Sequence, residues 1–138
     1  MSKKEQLDIE ALVENLPQVL EFVDEKLEAK DCPMAVKIQI DIAVEEIFVN
    51  IASYAYNPET GPAIIEVEVI DEPLSVELTF IDKGVQYDPL AKEDPDITLS
   101  AEERGIGGLG IFMVKQSMDN VEYEYKNGKN ILTIKKNF

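Results

Sequence analysis

The sequence predicts an α+β two-layer sandwich, a mainly antiparallel sheet covered on one face by helices. Three observations lead there. Short stretches in which apolar and charged residues alternate mark strands, and longer stretches with apolar residues three and four apart mark helices. Two pairs of those strands are separated only by short turns, which favours antiparallel pairing. The chain order is strand, helix, helix, two strands, a long connection, helix, two strands, with no internal repeat.

Leu7, Ile9 and Ala11 alternate with Asp8 and Glu10, the period of a strand covered on one face. This strand either joins the sheet or pairs outside it. Asn15 is placed to cap a helix, Pro17 suits its first turn, and Leu16, Val19, Leu20, Val23 and Leu27 carry a helical repeat to Ala29. The other face of that helix is rich in Glu and Lys and is therefore solvated. A second helical pattern starts at Pro33 and passes through Ile38, Ile42, Phe48 and Ile51 until Asn57-Pro58 ends it near Tyr56. Its apolar residues fill more than one stripe, which predicts a largely buried helix and gives weight to the polar residues in its second half. Ile65, Val67 and Val69, then Val76, Leu78 and Phe80, form a hairpin around the turn Asp71 to Leu74. Residues 88–104 hold two prolines, many charges and little periodicity, the pattern of a long lid-like loop. An apolar helix from Leu109 to Met118 follows, and the last two strands meet at Asn127-Gly128, a hairpin-turn dipeptide.

Composition narrows the chemistry. The 138 residues carry 13 Lys and Arg against 28 Asp and Glu, a net charge of −15. Arg104 is the only arginine, so direct nucleic-acid binding is not expected, and a phosphate-bearing ligand needs backbone amides or a metal. With 45% hydrophobic residues the length suits a single domain, residues 1–138. There is no histidine, which excludes Ser-His-Asp and Cys-His catalysis and His-ligated zinc. Cys32 is the only cysteine, so no disulfide forms within the chain. The longest apolar run, Ile111 to Val114, is far too short to span a bilayer, and the expectation is a cytoplasmic protein without membrane contact.

Three stretches hold groups suited to a site. Glu46 and Asn50, four residues apart, share one helix face, where a carboxylate can accept a proton and an amide oxygen can ligate Mg²⁺; the same spacing also describes an ordinary surface pair. Asp82 follows Val76, Leu78 and Phe80 in parity and so ends an inward-facing row. There it needs a hydrogen-bond partner such as an adenine amine, although Asp82-Lys83-Gly84 also reads as a strand-ending turn. Gly84 has no side chain to keep a flat base from the backbone. Gly105, Gly107, Gly108 and Gly110 open the apolar helix, where free amides and the helix dipole can hold an anion; a hinge is the other reading. The run is neither a Walker A nor a Rossmann turn.

In chain order, Glu46-x-x-x-Asn50, then Asp82-x-Gly84-x-x-Tyr87-Asp88-Pro89, then the glycines running into Ile111-Phe112-Met113-Val114-Lys115, resemble the N, G1 and G2 boxes of the GHKL ATPases. That superfamily includes gyrase B, MutL, the large heat-shock chaperones and histidine kinases. The resemblance covers the whole chain. Gly108 to Asp119, with Val121-Glu122-Tyr123 after it, is similar to the compact anti-sigma-factor serine kinases of bacterial partner switching.

The resemblance implies a Bergerat, histidine-kinase-like ATPase fold that sandwiches ATP between the sheet and a lid at 88–104. It implies Glu46 as general base, Asn50 as Mg²⁺ ligand, Asp82 as reader of adenine and Gly84 behind the base. Gly105, Gly107, Gly108, Leu109 and Gly110 then supply amides to the phosphates, Arg104 reaches the terminal phosphate, and Asn130 lies near adenine. Ser53, Tyr54, Tyr87 and Asp88 fall in the same boxes as nucleotide-binding residues. The implied activity is transfer of the ATP γ-phosphoryl group to a serine or threonine of a STAS-domain anti-anti-sigma-type protein, with a sigma factor or other regulator as a second partner. Two departures stand out. Tyr54 replaces a histidine common in relatives, and arginines that grip partners through the first helix are missing. The competing expectation is a nucleotide-dependent binding module that captures a partner without phosphorylating it. A slow ATPase of the chaperone or topoisomerase kind would need further transducer domains. The alternating strand at Leu7 to Ala11 also offers an edge for a homodimer.

Overall fold

The computed structural model describes residues 3–56, 58–71, 74–91 and 109–138. Five strands, β1 (Lys3–Glu10), β2 (Pro62–Asp71), β3 (Leu74–Asp82), β4 (Asn120–Lys126) and β5 (Lys129–Asn137), form one antiparallel sheet in the order β1-β2-β3-β5-β4. Three helices, α1 (Leu16–Glu28), α2 (Met34–Asn50) and α3 (Leu109–Ser117), supply the other layer, giving the predicted α+β sandwich.

The sheet's alternation decides its two faces. Ala63, Ile65 and Val67 of β2, Val76, Leu78 and Phe80 of β3, and Leu132 and Ile134 of β5 are buried in one core with Val19, Val23 and Leu27 of α1 and Ala43, Val44, Ile47 and Phe48 of α2. On the opposite face the register pairs Thr79 with Thr133 and Glu77 with Lys135, side chains that tolerate water. The helices therefore cover one face only. Asn127 and Gly128 both have positive φ, 55° and 75°, as a two-residue hairpin between β4 and β5 requires.

Four details differ from or refine the sequence reading. β1 starts at Lys3 and joins the sheet, pairing with β2 from Lys3↔Val69 to Glu10↔Pro62, because Leu7 and Ile9 find the core only in that register. Asn15 does not cap α1. The chain enters through the 3₁₀ turn Val13–Asn15, so Asn15 already has helical dihedrals and its side-chain amide donates instead to the Glu10 carbonyl at 3.0 Å. The α-helical part of α2 ends at Asn50, and Ile51–Ala55 continue it as one wider π turn, so the helical run stops at Tyr56 as expected but with a changed last turn. α2 is not buried all round. Met34, Ile38 and Ile42 remain 66%, 50% and 55% exposed, because the sheet, α1 and α3 occupy its other sides.

Candidate nucleotide site

The ends of β3 and β5 meet the C-terminal half of α2 at a cavity of about 220 Å³. Ile47, Asn50, Ile51, Tyr54 and Ala55 line it from the helix side, Phe80, Asp82, Asn130 and Leu132 from the sheet, Tyr123 from β4, Ile111 from α3, and Val85 to Tyr87 with Pro89 from the loop after β3. Its size lies below the range of roughly 300–1,000 Å³ usual for drug-sized ligands, so it suits one heterocycle rather than a whole nucleotide. Apolar walls with a few polar groups are the usual composition of such a pocket.

Asp82 is 6% and Asn130 7% exposed, and the sheet register sets them directly opposite each other. Asp82 Oδ1 accepts from the Gly84 amide at 2.8 Å and from Asn130 Nδ2 at 2.9 Å. A carboxylate at the end of an apolar row is thus given two donors. Among the described residues nothing donates to its other oxygen, so Oδ2 is left as an acceptor for a ligand donor.

The loop after β3 is fastened to the π turn. Val85 N–H donates to the Ala55 carbonyl at 2.9 Å, and a Cβ on Gly84 would overlap that carbonyl. The close approach that requires glycine here is therefore made by Ala55. Tyr56 Oη donates to the Pro62 carbonyl at 2.6 Å and accepts from Lys83 N–H at 2.8 Å, tying the π turn to the start of β2 and the end of β3. Its ring packs where Gly61 leaves no room for a Cβ. Burial raises the phenol pKa of Tyr56, opposed by the Lys83 N–H and reinforced by the charge of Asp82. Burial likewise raises that of Tyr123, so both keep their protons and act as donors.

At the helical wall, Asn50 Nδ2 lies 3.3 Å from Glu46 Oε1, leaving the Asn50 carbonyl oxygen without a partner among the described residues and fit for a hard cation. Gly110, in the first turn of α3, sits against the Glu46 carboxylate, and a Cβ there would overlap it. The negative charge of Glu46 thus lies at the positive end of α3.

Of the residues singled out from sequence, Asn50, Tyr54, Asp82, Tyr87 and Asn130 line one cavity. Glu46 and Gly110 meet beside it without lining it. Ser53 is exposed and does not line the cavity, and Asp88 accepts the Leu90 amide at 2.8 Å, capping the short turn Pro89–Ala91. Leu109 opens α3. Arg104, Gly105, Gly107 and Gly108, with most of the expected lid, lie outside the described residues. Sequence reasoning missed Tyr56, Ala55 and Tyr123. Only Tyr123 left a local signal, since it shares the inward parity of Val121 on β4.

An antiparallel sheet under three helices, with an inward aspartate at the end of a central strand facing a base-sized cavity, is the architecture of a histidine kinase-like ATPase domain. The model of that family, described as "Histidine kinase-like ATPase domain", matches residues 9–136, and the chain belongs to it. Similar proteins include the serine/threonine-protein kinase BtrW of Bordetella bronchiseptica, 28% identical over 71% of this chain and 68% of its own. The serine-protein kinase RsbW of Listeria monocytogenes is 29% identical over 70% of this chain and 63% of its own. RsbW of Bacillus cereus is 29% identical over 68% and 60%. The matches thus span about two thirds of the length of these relatives. Among the described residues no helix is long and apolar enough to cross a membrane.

Proposed function

We propose that this chain is an ATP-dependent serine/threonine protein kinase of the partner-switching type, which phosphorylates a STAS-domain protein and holds a sigma factor or similar regulator in turn. The juxtaposition of Glu46, Asn50 and the first turn of α3 beside the cavity floored by Asp82 carries this reading. The relatives' names, serine-protein kinase, support it.

In this reading the 6-amino group of adenine donates to Asp82 Oδ2, with the base held between Ile51, Val85 and Leu132. The Asn50 carbonyl oxygen would hold Mg²⁺, which when bound would supply neutralisation of phosphate charge. Glu46 accepts the proton of the attacking hydroxyl as its oxygen bonds to the γ-phosphorus and the bond to the ADP oxygen breaks. Positioning and charge neutralisation supply most of the rate.

The test is incubation with γ-labelled ATP, Mg²⁺ and a STAS-domain protein from the same organism. Label transferred to a serine or threonine of that protein is expected. A tight ATP-dependent complex without transfer would establish the non-catalytic binding module instead. Calorimetry with ATP and ADP, each with and without Mg²⁺, tests the nucleotide site on its own, and no binding under any of these conditions overturns the whole reading.

A further inference from the structure

Asn130 has no hydrogen-bonding capacity left for a ligand. Its Nδ2 donates to Asp82 Oδ1 at 2.9 Å and to the Val85 carbonyl at 2.9 Å, using both amide hydrogens. Its Oδ1 accepts the Tyr87 N–H at 3.1 Å and the Tyr123 hydroxyl at 2.5 Å, using both lone pairs. Chemistry also fixes the orientation of the carboxamide. A flipped amide would turn its NH₂ toward a backbone N–H and its oxygen toward a carboxylate and a carbonyl. A side chain so saturated, 7% exposed and on the cavity wall, cannot itself read a base.

We infer that Asn130 is a positioning residue, clamped by Tyr123, that holds Asp82 and the loop from Gly84 to Tyr87 in the arrangement that reads the base amine. This rests on the reading of the cavity as an adenine site. The clamp links three strands and a loop. Asp82 lies opposite Asn130 on β3, Tyr123 reaches it diagonally from the edge strand β4, and the Val85 carbonyl and Tyr87 amide close from the loop. With Asp82 Oδ1 occupied by Asn130 and Gly84, the carboxylate is fixed in rotation and only Oδ2 is offered to a ligand. An aspartate free to rotate would spread its acceptors over several directions and give up part of the preorganisation.

The test compares ATP with purine riboside triphosphate, which lacks the 6-amino group, by calorimetry on the wild-type protein, Asn130→Ala and Tyr123→Phe. Wild type is expected to favour ATP by about 10–100-fold, the range of one hydrogen bond to a charged acceptor. Asn130→Ala should remove most of that preference while changing affinity for the analogue less than about 3-fold. Tyr123→Phe, which deletes one hydroxyl from a half-buried edge-strand residue and should leave the fold intact, should reduce the preference by about 3–10-fold. The double variant should discriminate no worse than Asn130→Ala alone, because Tyr123 acts through Asn130. If both variants keep the preference, or weaken both nucleotides equally, the positioning role fails while the adenine site stands. If wild type binds the two nucleotides equally, the adenine reading fails and takes this inference with it.

Discussion

Among the described residues, buried carboxylate oxygens at the sheet end and at the α1–α2 seam are accommodated in opposite ways. At the sheet end, Asp82 is met by two donors, the Gly84 amide and the Asn130 carboxamide. At the seam between α1 and α2, Asp41 is met by another carboxylate, Asp24, and one buried oxygen of each has no donor among the described residues. Lys37 lies 3.8 Å from Asp24 and 3.5 Å from Glu28, and it offsets the excess negative charge only in part. Burial, then the hydrogen bond and charge of Asp24, with Glu28 adding to them against Lys37, push the Asp41 pKa from 3.8 up to about 7. When Asp41 holds its proton, its carboxyl becomes a donor to the facing Asp24. Donors make a buried carboxylate a preorganised acceptor, whereas a second carboxylate makes it a proton store. In the proposed function the first arrangement serves ligand recognition, and the second makes stability depend on pH.

Substitutions separate the two. The largest effect belongs to the cavity side. Glu46→Gln should cost about 10²–10⁴ in phosphotransfer rate, the range for losing a general base, with nucleotide affinity within a few-fold. Unchanged turnover in the labelled-ATP assay would remove Glu46 from the chemistry. Asp82→Asn should weaken ATP binding by about 10–100-fold in calorimetry, because an amide replaces a charged acceptor. An unaltered affinity would mean that Asp82 serves only the turn.

Tyr56→Phe should lower unfolding stability by about 1–2 kcal/mol in denaturant titrations, since the Pro62 carbonyl and Lys83 amide lose a shared partner. It should also loosen nucleotide binding modestly, as the π turn and the loop after β3 would no longer be fastened.

The smallest effect tests the seam. Because the Asp41 pKa is raised in the folded state, its contribution is fully present below the unfolded value of 3.8 and is lost as pH rises through about 7. Asp41→Asn should therefore flatten the fall in melting temperature between pH 4 and 7. At pH 8 it should stabilise the protein by about 1 kcal/mol, a figure discounted for solvent screening of a part-exposed pair. An unchanged pH profile would mean that Asp41 does not hold its proton toward neutral pH in the folded protein. Nucleotide affinity should not respond to this variant.

The strand and helix sequence was legible because each element carries its own periodicity. Asp82 was legible as well, since parity with Val76, Leu78 and Phe80 is a local property of β3. The exposed stripe Met34, Ile38 and Ile42 was not, because periodicity shows that a face is apolar without showing whether anything packs on it. Asn57-Pro58 marked the end of the helical run near Tyr56, but not the winding of its last turn, because the π turn is selected by the docking of Ala55 and Tyr56 onto a loop about 30 residues later.

The amino-acid sequence by itself determined the α+β class, the inward aspartate, the i, i+4 pairing of Glu46 with Asn50, and the absence of histidine chemistry. These follow from composition or from spacing within one element. Tertiary structure alone decided that Asn130, 48 residues from Asp82, should be its donor, that Tyr123 should clamp Asn130, and that Asp24 and Asp41 should meet across two helices. Hydrogen bonds and carboxyl pairs of this kind depend on strand register and helix packing, which the burial of the whole core sets.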